Sequence, residues 1–206
     1  MDRGPDPVGC VRLARELGLE CVKGNHEDKH VRWRKHEVKR AETGKDNPMK
    51  RMPKPARLQN EALTEEEVRW MKHLPVKINL ENGFWAVHAG CEPRVPLADQ
   101  VNDQIMRVRF VNDKGRGVPL NPDKTAPDNT VYWAERWKGP ESIVYGHCVH
   151  DLDKVRIDEH DGVTCLGIDT GCCFGGHLTS AVFREDKVEF VQVKAKQAYH
   201  DRGDFE

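Results

Sequence analysis

A short apolar run that leads into a polar cluster constrains the fold of this chain more than any other stretch. Residues 19–22 have the length and composition of a buried strand, and Gly24-Asn25-His26-Glu27 follows almost at once. Gly24 is expected to form a turn that a side chain would hinder. Open α/β sheets place ligands at the carboxyl ends of their strands, so this cluster predicts a cation and phosphate site. A polar turn carrying a surface histidine is the alternative.

Two further strand-like runs end in the same way. Residues 84–87 lead into His88, and residues 142–145 lead through one glycine into His147. Histidines would not fall so regularly at strand ends by chance. The pattern predicts a metal site assembled from loops at one edge of a sheet.

The remaining pattern is that of an α/β protein. An amphipathic helix is predicted after Pro7, a basic helix from Glu27 to about residue 40, and a capping box at Thr64 starts a helix through residue 73. Residues 76–80 and 84–87 predict a hairpin. Further short strands are predicted at residues 142–145, 155–157, 163–168, 179–183 and 188–193.

Length and composition favour one domain over residues 1–206, with a basic loop or lid at 43–57 and a polar, frayed tail at 197–206. The sequence has no run long enough to span a membrane and no signal peptide, so we expect a cytoplasmic protein. The net charge of −1 argues against general nucleic-acid binding. The seven cysteines include no C-x-x-C pair and are interpreted as reduced, structural thiols.

The basic character of the chain is local. Residues 29–57 contain eleven Lys or Arg against three acidic residues. A field of this sign would draw a phosphate-rich substrate towards the site. A solvated helix followed by a mobile loop is the alternative.

Five motifs stand in order along nearly the whole chain, namely Asp2-Arg3-Gly4-Pro5, Gly24-Asn25-His26-Glu27, His88-Ala89-Gly90, Gly146-His147 and Asp169-Thr170-Gly171-Cys172-Cys173-Phe174-Gly175-Gly176. With these motifs the sequence resembles the calcineurin-like metallophosphoesterases. Within them it is similar to the serine/threonine phosphoprotein phosphatase branch, which includes the bacterial symmetrical diadenosine tetraphosphatases. The resemblance implies two packed mixed β-sheets flanked by α-helices. It also implies hydrolysis of a phosphorylated protein, a dinucleoside polyphosphate or polyphosphate by metal-activated water.

The resemblance also implies roles for single residues. Asn25, His88 and His147 match ligands of the second ion in a centre of two divalent metals, for which manganese, iron, zinc, cobalt or nickel are open. His26 matches the proton donor to the leaving oxygen, and Asp2 matches the carboxylate that orients it.

Phosphate in such a site needs cations beyond the metals. Arg3 matches a phosphate-binding arginine of the family. A second cation is expected from Arg107 or Arg109, which would share one face if residues 105–111 were extended, with Arg109 preferred. A surface arginine on a solvated strand is the alternative.

The family places Asp-x-His after its first strand and Gly-Asp just ahead of Asp-Arg-Gly, and neither motif stands ahead of Asp2-Arg3-Gly4 in this sequence. We therefore expect an N-terminally truncated domain with the first strand missing. The competing hypothesis is a remnant phosphoesterase fold that serves as a phosphate- or partner-binding module.

Residues 26–30 also match the H-E-x-x-H signature of zinc proteases. That motif needs both histidines inside one helix and facing one ion, whereas His26 is expected at the helix start. His30 is interpreted as a solvent-facing residue of the basic helix.

Overall fold

The computed structural model describes residues 1–49, 52–185 and 187–201. The chain divides into two units, Met1–Pro75 and Val76–Glu206. Its mixed helices and sheets confirm the predicted α/β class. Among the described residues, no helix is both long enough and apolar enough to cross a bilayer.

The first unit is helical in its described part. Asp6 caps the first helix by accepting a hydrogen bond from the Gly9 amide at 2.8 Å. Thr64 and Glu67 form the predicted capping box of the fourth helix. The apolar faces bury a small core of Val8, Val11, Leu63, Val68 and Met71. The helices are α1 (Pro7–Glu16), α2 (Asn25–Thr43), α3 (Lys54–Ala62) and α4 (Glu65–His73).

Three local predictions in this unit are wrong. Residues 19–22 form no strand, since the backbone there finds no strand to pair with. Gly24 has φ −102° and ψ 174°, which is extended backbone that any residue adopts. The predicted loop at 43–57 contains the start of α3, because Pro53 and Pro55 favour the first turn of a helix. Lys50 and Arg51 lie outside the described residues.

The second unit is built on a five-stranded sheet with strand order β1-β2-β6-β8-β7. Strands β2, β6 and β8 are parallel to one another, and the edge strands β1 and β7 are antiparallel to their neighbours. The predicted hairpin of β1 and β2 is confirmed. The strands are β1 (Lys77–Asn79), β2 (Phe84–Val87), β6 (Ser142–Tyr145), β7 (Arg156–His160) and β8 (Val163–Gly167).

Two smaller sheets complete the described part of this unit. The short helix α5 (Asn102–Ile105) leads into β3 (Phe110–Val111), which pairs with β4 (Gly117–Val118) and β5 (Val131–Tyr132). Strands β9 (His177–Phe183) and β10 (Val188–Lys194) form an antiparallel pair.

The core of this unit joins aromatic side chains with apolar side chains of the five-stranded sheet. Trp133, Trp137 and Tyr145 are all at most 1% exposed. A side chain at Gly90 would place its Cβ 2.2 Å from Nε1 of Trp133, so only glycine allows this packing.

The chain segment after β10 is tied down where it is described. The amides of Tyr199 and His200 both donate to the carbonyl oxygen of Cys173, at 2.9 and 3.0 Å. Ala198 forms an antiparallel bridge with Phe174. The prediction of a frayed tail is therefore wrong for these residues, and residues 202–206 lie outside the described part.

Candidate functional site

The parallel strands of the second unit bring three polar side chains to one edge of the sheet. His88 follows β2 directly, His147 follows β6 after Gly146, and Asp169 follows β8 after one residue. Carboxyl ends of neighbouring parallel strands meet at the same edge, where α/β proteins bind ligands. The Gly146 amide donates to the carbonyl oxygen of His88 at 3.0 Å, which fixes the two strand ends side by side.

The two histidines face each other through nitrogen atoms. Nε2 of His88 lies 3.1 Å from Nδ1 of His147, and the ring centroids are 4.9 Å apart. Imidazole nitrogens lie about 2.0–2.1 Å from a bound zinc ion. If the two nitrogens, 3.1 Å apart, bound one ion at that distance, the nitrogen–ion–nitrogen angle would be about 95–100°, which suits neighbouring ligands. The donor pair fits a divalent metal.

The backbone at His147 is strained. Its φ is 69°, a left-handed conformation that few residues other than glycine adopt. Strain of this kind concentrates at functional sites, where the surrounding structure enforces it. The positive φ of His147 therefore supports its place among the candidate site residues.

Asp169 is a further candidate site residue. It is the first residue of the last of the five motifs, but no role was predicted for it. A Cβ built on Gly146 would lie 3.7 Å from Cβ of Asp169 and 3.9 Å from its Oδ2 atom, so the carboxylate reaches the histidine strand ends. Its Oδ1 atom accepts a hydrogen bond from the Gly171 amide at 3.1 Å. Among residues 1–49, 52–185 and 187–201, no three His, Cys, Asp or Glu side chains form a ready metal-binding group.

Residues 105–111 are not extended throughout, so the condition under which Arg107 and Arg109 would share one face is not met. The amides of Arg107 and Val108 both donate to the carbonyl oxygen of Gln104, at 2.9 and 2.8 Å, which continues the turn of α5. The guanidinium of Arg107 forms an ion pair with Asp103 one turn earlier.

Arg109 lies near the histidine edge. Burial raises the pKa of the Cys148 thiol, while the positive charge of Arg109 lowers that pKa and the charge of Asp169 raises it. Both charged groups are therefore within electrostatic range of Cys148, the residue after His147. His150 packs edge-on against the Tyr132 ring, with centroids 4.5 Å apart.

The first unit holds the second group of predicted site residues around Asp2. Nδ1 of His26 lies 2.7 Å from Oδ2 of Asp2, which agrees with the predicted pairing. Lys29 forms an ion pair with the same oxygen, and Nε2 of His30 contacts Oδ1. The Asp2 side chain is 10% exposed and has φ 74°, a second strained position at a predicted site residue.

Asp2 is held as a carboxylate. Burial raises the pKa of its carboxyl group, but hydrogen bonds from His26, His30 and Lys29 outweigh burial and keep that pKa well below its usual range. An ionised Asp2 accepts a hydrogen bond from Nδ1–H of His26. The other ring nitrogen of His26 is then the atom that can exchange a proton with a substrate.

The interpretation of His30 as solvent-facing is wrong, because its side chain is fully buried. Both His26 and His30 lie on α2, as the H-E-x-x-H signature requires, yet both rings contact Asp2. That arrangement does not favour a zinc protease.

Comparisons with known proteins identify the family. A bis(5'-nucleosyl)-tetraphosphatase PrpE [asymmetrical] of Halalkalibacterium halodurans is 30% identical over 213 residues, which cover 95% of this chain and 76% of that protein. The same-named protein of Bacillus subtilis is 29% identical over 213 residues, covering 97% and 78%. The chain belongs to the PrpE family of calcineurin-like metallophosphoesterases.

A solved structure agrees with this assignment. The crystal structure of a protein assigned as a diadenosine tetraphosphatase matches with a TM-score of 0.68 and 25% identity, over 92% of this chain and 75% of that one. No protein-family profile matches the sequence. Membership makes this metallophosphoesterase a hydrolase and implies divalent metal ions, whose identity stays a prediction.

The remaining predicted residues of the metallophosphoesterase keep their roles as predictions. Asn25 is the first residue of α2, and Arg3 lies in the bend after Asp2 with a half-buried side chain. The convergence of Asn25 with His88 and His147 on one ion stays a prediction, as does the truncation of the chain.

Sequence reasoning missed four residues that contact or adjoin these sites. Asp169 could have been found as the first residue after a predicted strand within a quoted motif. Lys29 and His30 were counted as parts of a basic helix, and nothing in the sequence marks Asn60 as a partner of His30.

Proposed function

We propose that this chain hydrolyses dinucleoside polyphosphates, with diadenosine tetraphosphate as the reference substrate. The observation that carries the proposal is the pairing of His88 and His147 at 3.1 Å on the edge of a parallel sheet. The names of its PrpE relatives support the substrate class and asymmetrical cleavage. The branch that the sequence resembles includes the symmetrical enzymes, which cut the same substrate into equal halves, and the resemblance leaves the substrate class open.

His88, His147 and Asn25 would hold one divalent ion, through two imidazole nitrogens and an amide oxygen. Bound divalent ions polarise phosphoryl oxygens and make water a better nucleophile near neutral pH. Arg109 lies close to this edge, and Arg3 follows Asp2. Their guanidinium groups suit the equatorial oxygens of a phosphate, on which charge builds during transfer.

His26 protonates the leaving oxygen in this proposal. Its Nδ1–H donates to Asp2, so the transferred proton sits on Nε2. Water forms the new bond to phosphorus and releases one proton to solvent, the P–O bond of the anhydride breaks, and the leaving oxygen takes the Nε2 proton of His26. Solvent then returns a proton to His26, so that protons balance over the cycle. The products are a nucleoside triphosphate and a nucleoside monophosphate.

A substrate panel tests the proposal. Diadenosine tetraphosphate, a phosphothreonine peptide and inorganic polyphosphate are incubated with the chain and either manganese, cobalt, nickel or zinc ions. The assay is also run on a version extended upstream by the Asp-x-His and Gly-Asp motifs of the family. We expect preferential hydrolysis of diadenosine tetraphosphate to ATP and AMP.

The products decide between the outcomes. Two molecules of ADP would establish symmetrical cleavage instead. Preferential turnover of the peptide or of polyphosphate would overturn the proposed substrate class. No turnover of any substrate in either version would favour the phosphate- or partner-binding module.

A further inference from the structure

His30 is a buried polar side chain that the proposed chemistry does not use. It lies on α2 one turn after His26, and its side chain has no solvent exposure. Its Nε2 atom contacts Oδ1 of Asp2, and its Nδ1 atom lies 3.1 Å from Nδ2 of Asn60. A buried imidazole with both nitrogens in contact has a defined protonation pattern, which its partners set.

Asn60 determines which nitrogen of His30 carries the proton. Oδ1 of Asn60 accepts a hydrogen bond from Nε of Arg34 at 3.0 Å, so the amide nitrogen must be the atom that faces His30. That amide donates to Nδ1 of His30 and to the His30 carbonyl oxygen at 2.9 Å. Nδ1 therefore accepts, and in a neutral imidazole the proton is then on Nε2, from which it is donated to Asp2.

The two carboxylate oxygens of Asp2 therefore have different partners. His30 occupies Oδ1, while His26 and Lys29 share Oδ2. Asp2 has a left-handed backbone at φ 74°, which is costly for a residue other than glycine. The contact with His30 limits rotation of the carboxylate and keeps Oδ2 directed at Nδ1 of His26.

We propose that His30 is a positioning residue, which fixes the carboxylate of Asp2 so that His26 is held in the orientation needed for proton donation. The proposal rests on the roles proposed above for Asp2 and His26. His30 does not touch the substrate in this account. It acts through Asp2, and Asn60 fixes its tautomer.

Kinetics of two substitutions at the same position test the proposal. His30→Leu removes the donor to Asp2 at similar size, whereas His30→Gln keeps one amide donor and one acceptor. We expect His30→Leu to lower kcat for diadenosine tetraphosphate by about tenfold to a hundredfold, the range for a hydrogen bond to a charged group, with KM changed less than about twofold. His30→Gln is expected to recover most of that loss.

His36→Leu is the matched control, because it makes the same change on the same helix at a half-buried position. It is expected to leave kcat unchanged. Bound metal, measured by elemental analysis, is expected to be equal in all variants. Equal kcat for His30→Leu and the wild type would overturn the proposal, as would equal losses in the Leu and Gln variants.

A spectroscopic measurement keeps the proposal testable if His30→Leu does not fold. In the metal-free wild-type protein, ¹H–¹⁵N correlation spectra are expected to show a slowly exchanging proton on Nε2 of His30, absent in His30→Gln. A proton on Nδ1 of His30, or one that exchanges at the rate of a solvent-facing imidazole, would contradict the tautomer and with it the proposal.

Failure of this inference is distinguishable from failure of the proposed function. If His26→Asn keeps full turnover, the role proposed for His26 is wrong. If His26→Asn loses turnover while His30→Leu keeps it, only the role of His30 is wrong.

Discussion

Nε2 of His88 and Nδ1 of His147 lie 3.1 Å apart, although the two residues are 59 positions apart in the chain. The pairing follows from the sheet. β2 and β6 are hydrogen-bonded parallel neighbours, so the residues that follow their carboxyl ends, His88 and His147, lie at the same edge of the sheet. Neither histidine could reach the other if either strand shifted its register by one residue.

Metal affinity is the first property that this pairing predicts. His88→Ala and His147→Ala are each expected to weaken Mn²⁺ binding by at least about a hundredfold. Removing a residue that only hydrogen-bonds to a metal ligand costs up to about a hundredfold in metal affinity, and removing the ligand itself is expected to cost at least as much. Isothermal titration calorimetry, in which Mn²⁺ is added to the metal-free variants, measures these affinities. His160→Ala, at the end of β7, is the control and is expected to bind as the wild type does. Unchanged affinity in both histidine variants would remove this pair from the metal site.

Asp2 predicts a dependence of stability on pH. Its pKa is depressed on folding, so its contribution is fully present above the unfolded value of about 3.9 and is lost as pH falls through the folded value. At pH 7 we expect Asp2→Asn to lower the free energy of unfolding by about 3 kcal/mol, as when one partner of a buried ion pair is removed.

Urea unfolding of the wild type and of Asp2→Asn at several pH values measures this contribution. The difference between the two proteins is expected to be constant above about pH 5 and to shrink below about pH 4. A difference that stays the same down to pH 3 would mean that Asp2 is not held as a carboxylate.

One pair of substitutions tests which of Arg107 and Arg109 contributes to the proposed binding of phosphate. Arg109→Ala is expected to weaken inorganic phosphate binding to the metal-loaded protein by about 1 kcal/mol or more, because a charge-assisted hydrogen bond is lost. Arg107→Ala is expected to have little effect, because its guanidinium is engaged with Asp103. A competition assay measures the affinity for phosphate. If Arg107→Ala weakened phosphate binding and Arg109→Ala did not, the phosphate-binding role would fall to Arg107.

Gly90 predicts a stability effect that is independent of the chemistry. A methyl group at this position would meet the buried indole of Trp133 at 2.2 Å, which forces the ring to move. Gly90→Ala is expected to lower the free energy of unfolding by about 1–3 kcal/mol, the usual cost of overpacking a core. Chemical denaturation followed by tryptophan fluorescence measures it, and an unchanged midpoint would show that the core accommodates the methyl group.

Much of the fold could be predicted because local patterns and tertiary structure agree. The strand at residues 142–145 has the predicted bounds, and Thr64 caps α4 as expected. The strand prediction for residues 19–22 was wrong, because an apolar run becomes a strand only when another strand pairs with it. The presence of that partner cannot be read from the local sequence.

The candidate site could also be predicted in part from the sequence. His88 and His147 follow predicted strands, and the Asp2–His26 contact is one that the family resemblance implies. His30 was misassigned because the many charges of α2 suggested a solvated helix, whereas its burial depends on Asn60 of α3, thirty residues away. A shared face for Arg107 and Arg109 depended on residues 105–111 being extended, and that condition fails because α5 continues into a turn.

Anomalous X-ray scattering from crystals grown with Mn²⁺ tests the central claim most directly. The claim is that His88 and His147 bind one catalytic divalent ion. The account predicts an anomalous peak within about 2.0–2.3 Å of both Nε2 of His88 and Nδ1 of His147. A map without a peak between these atoms, with the two imidazoles hydrogen-bonded directly to each other, would contradict it.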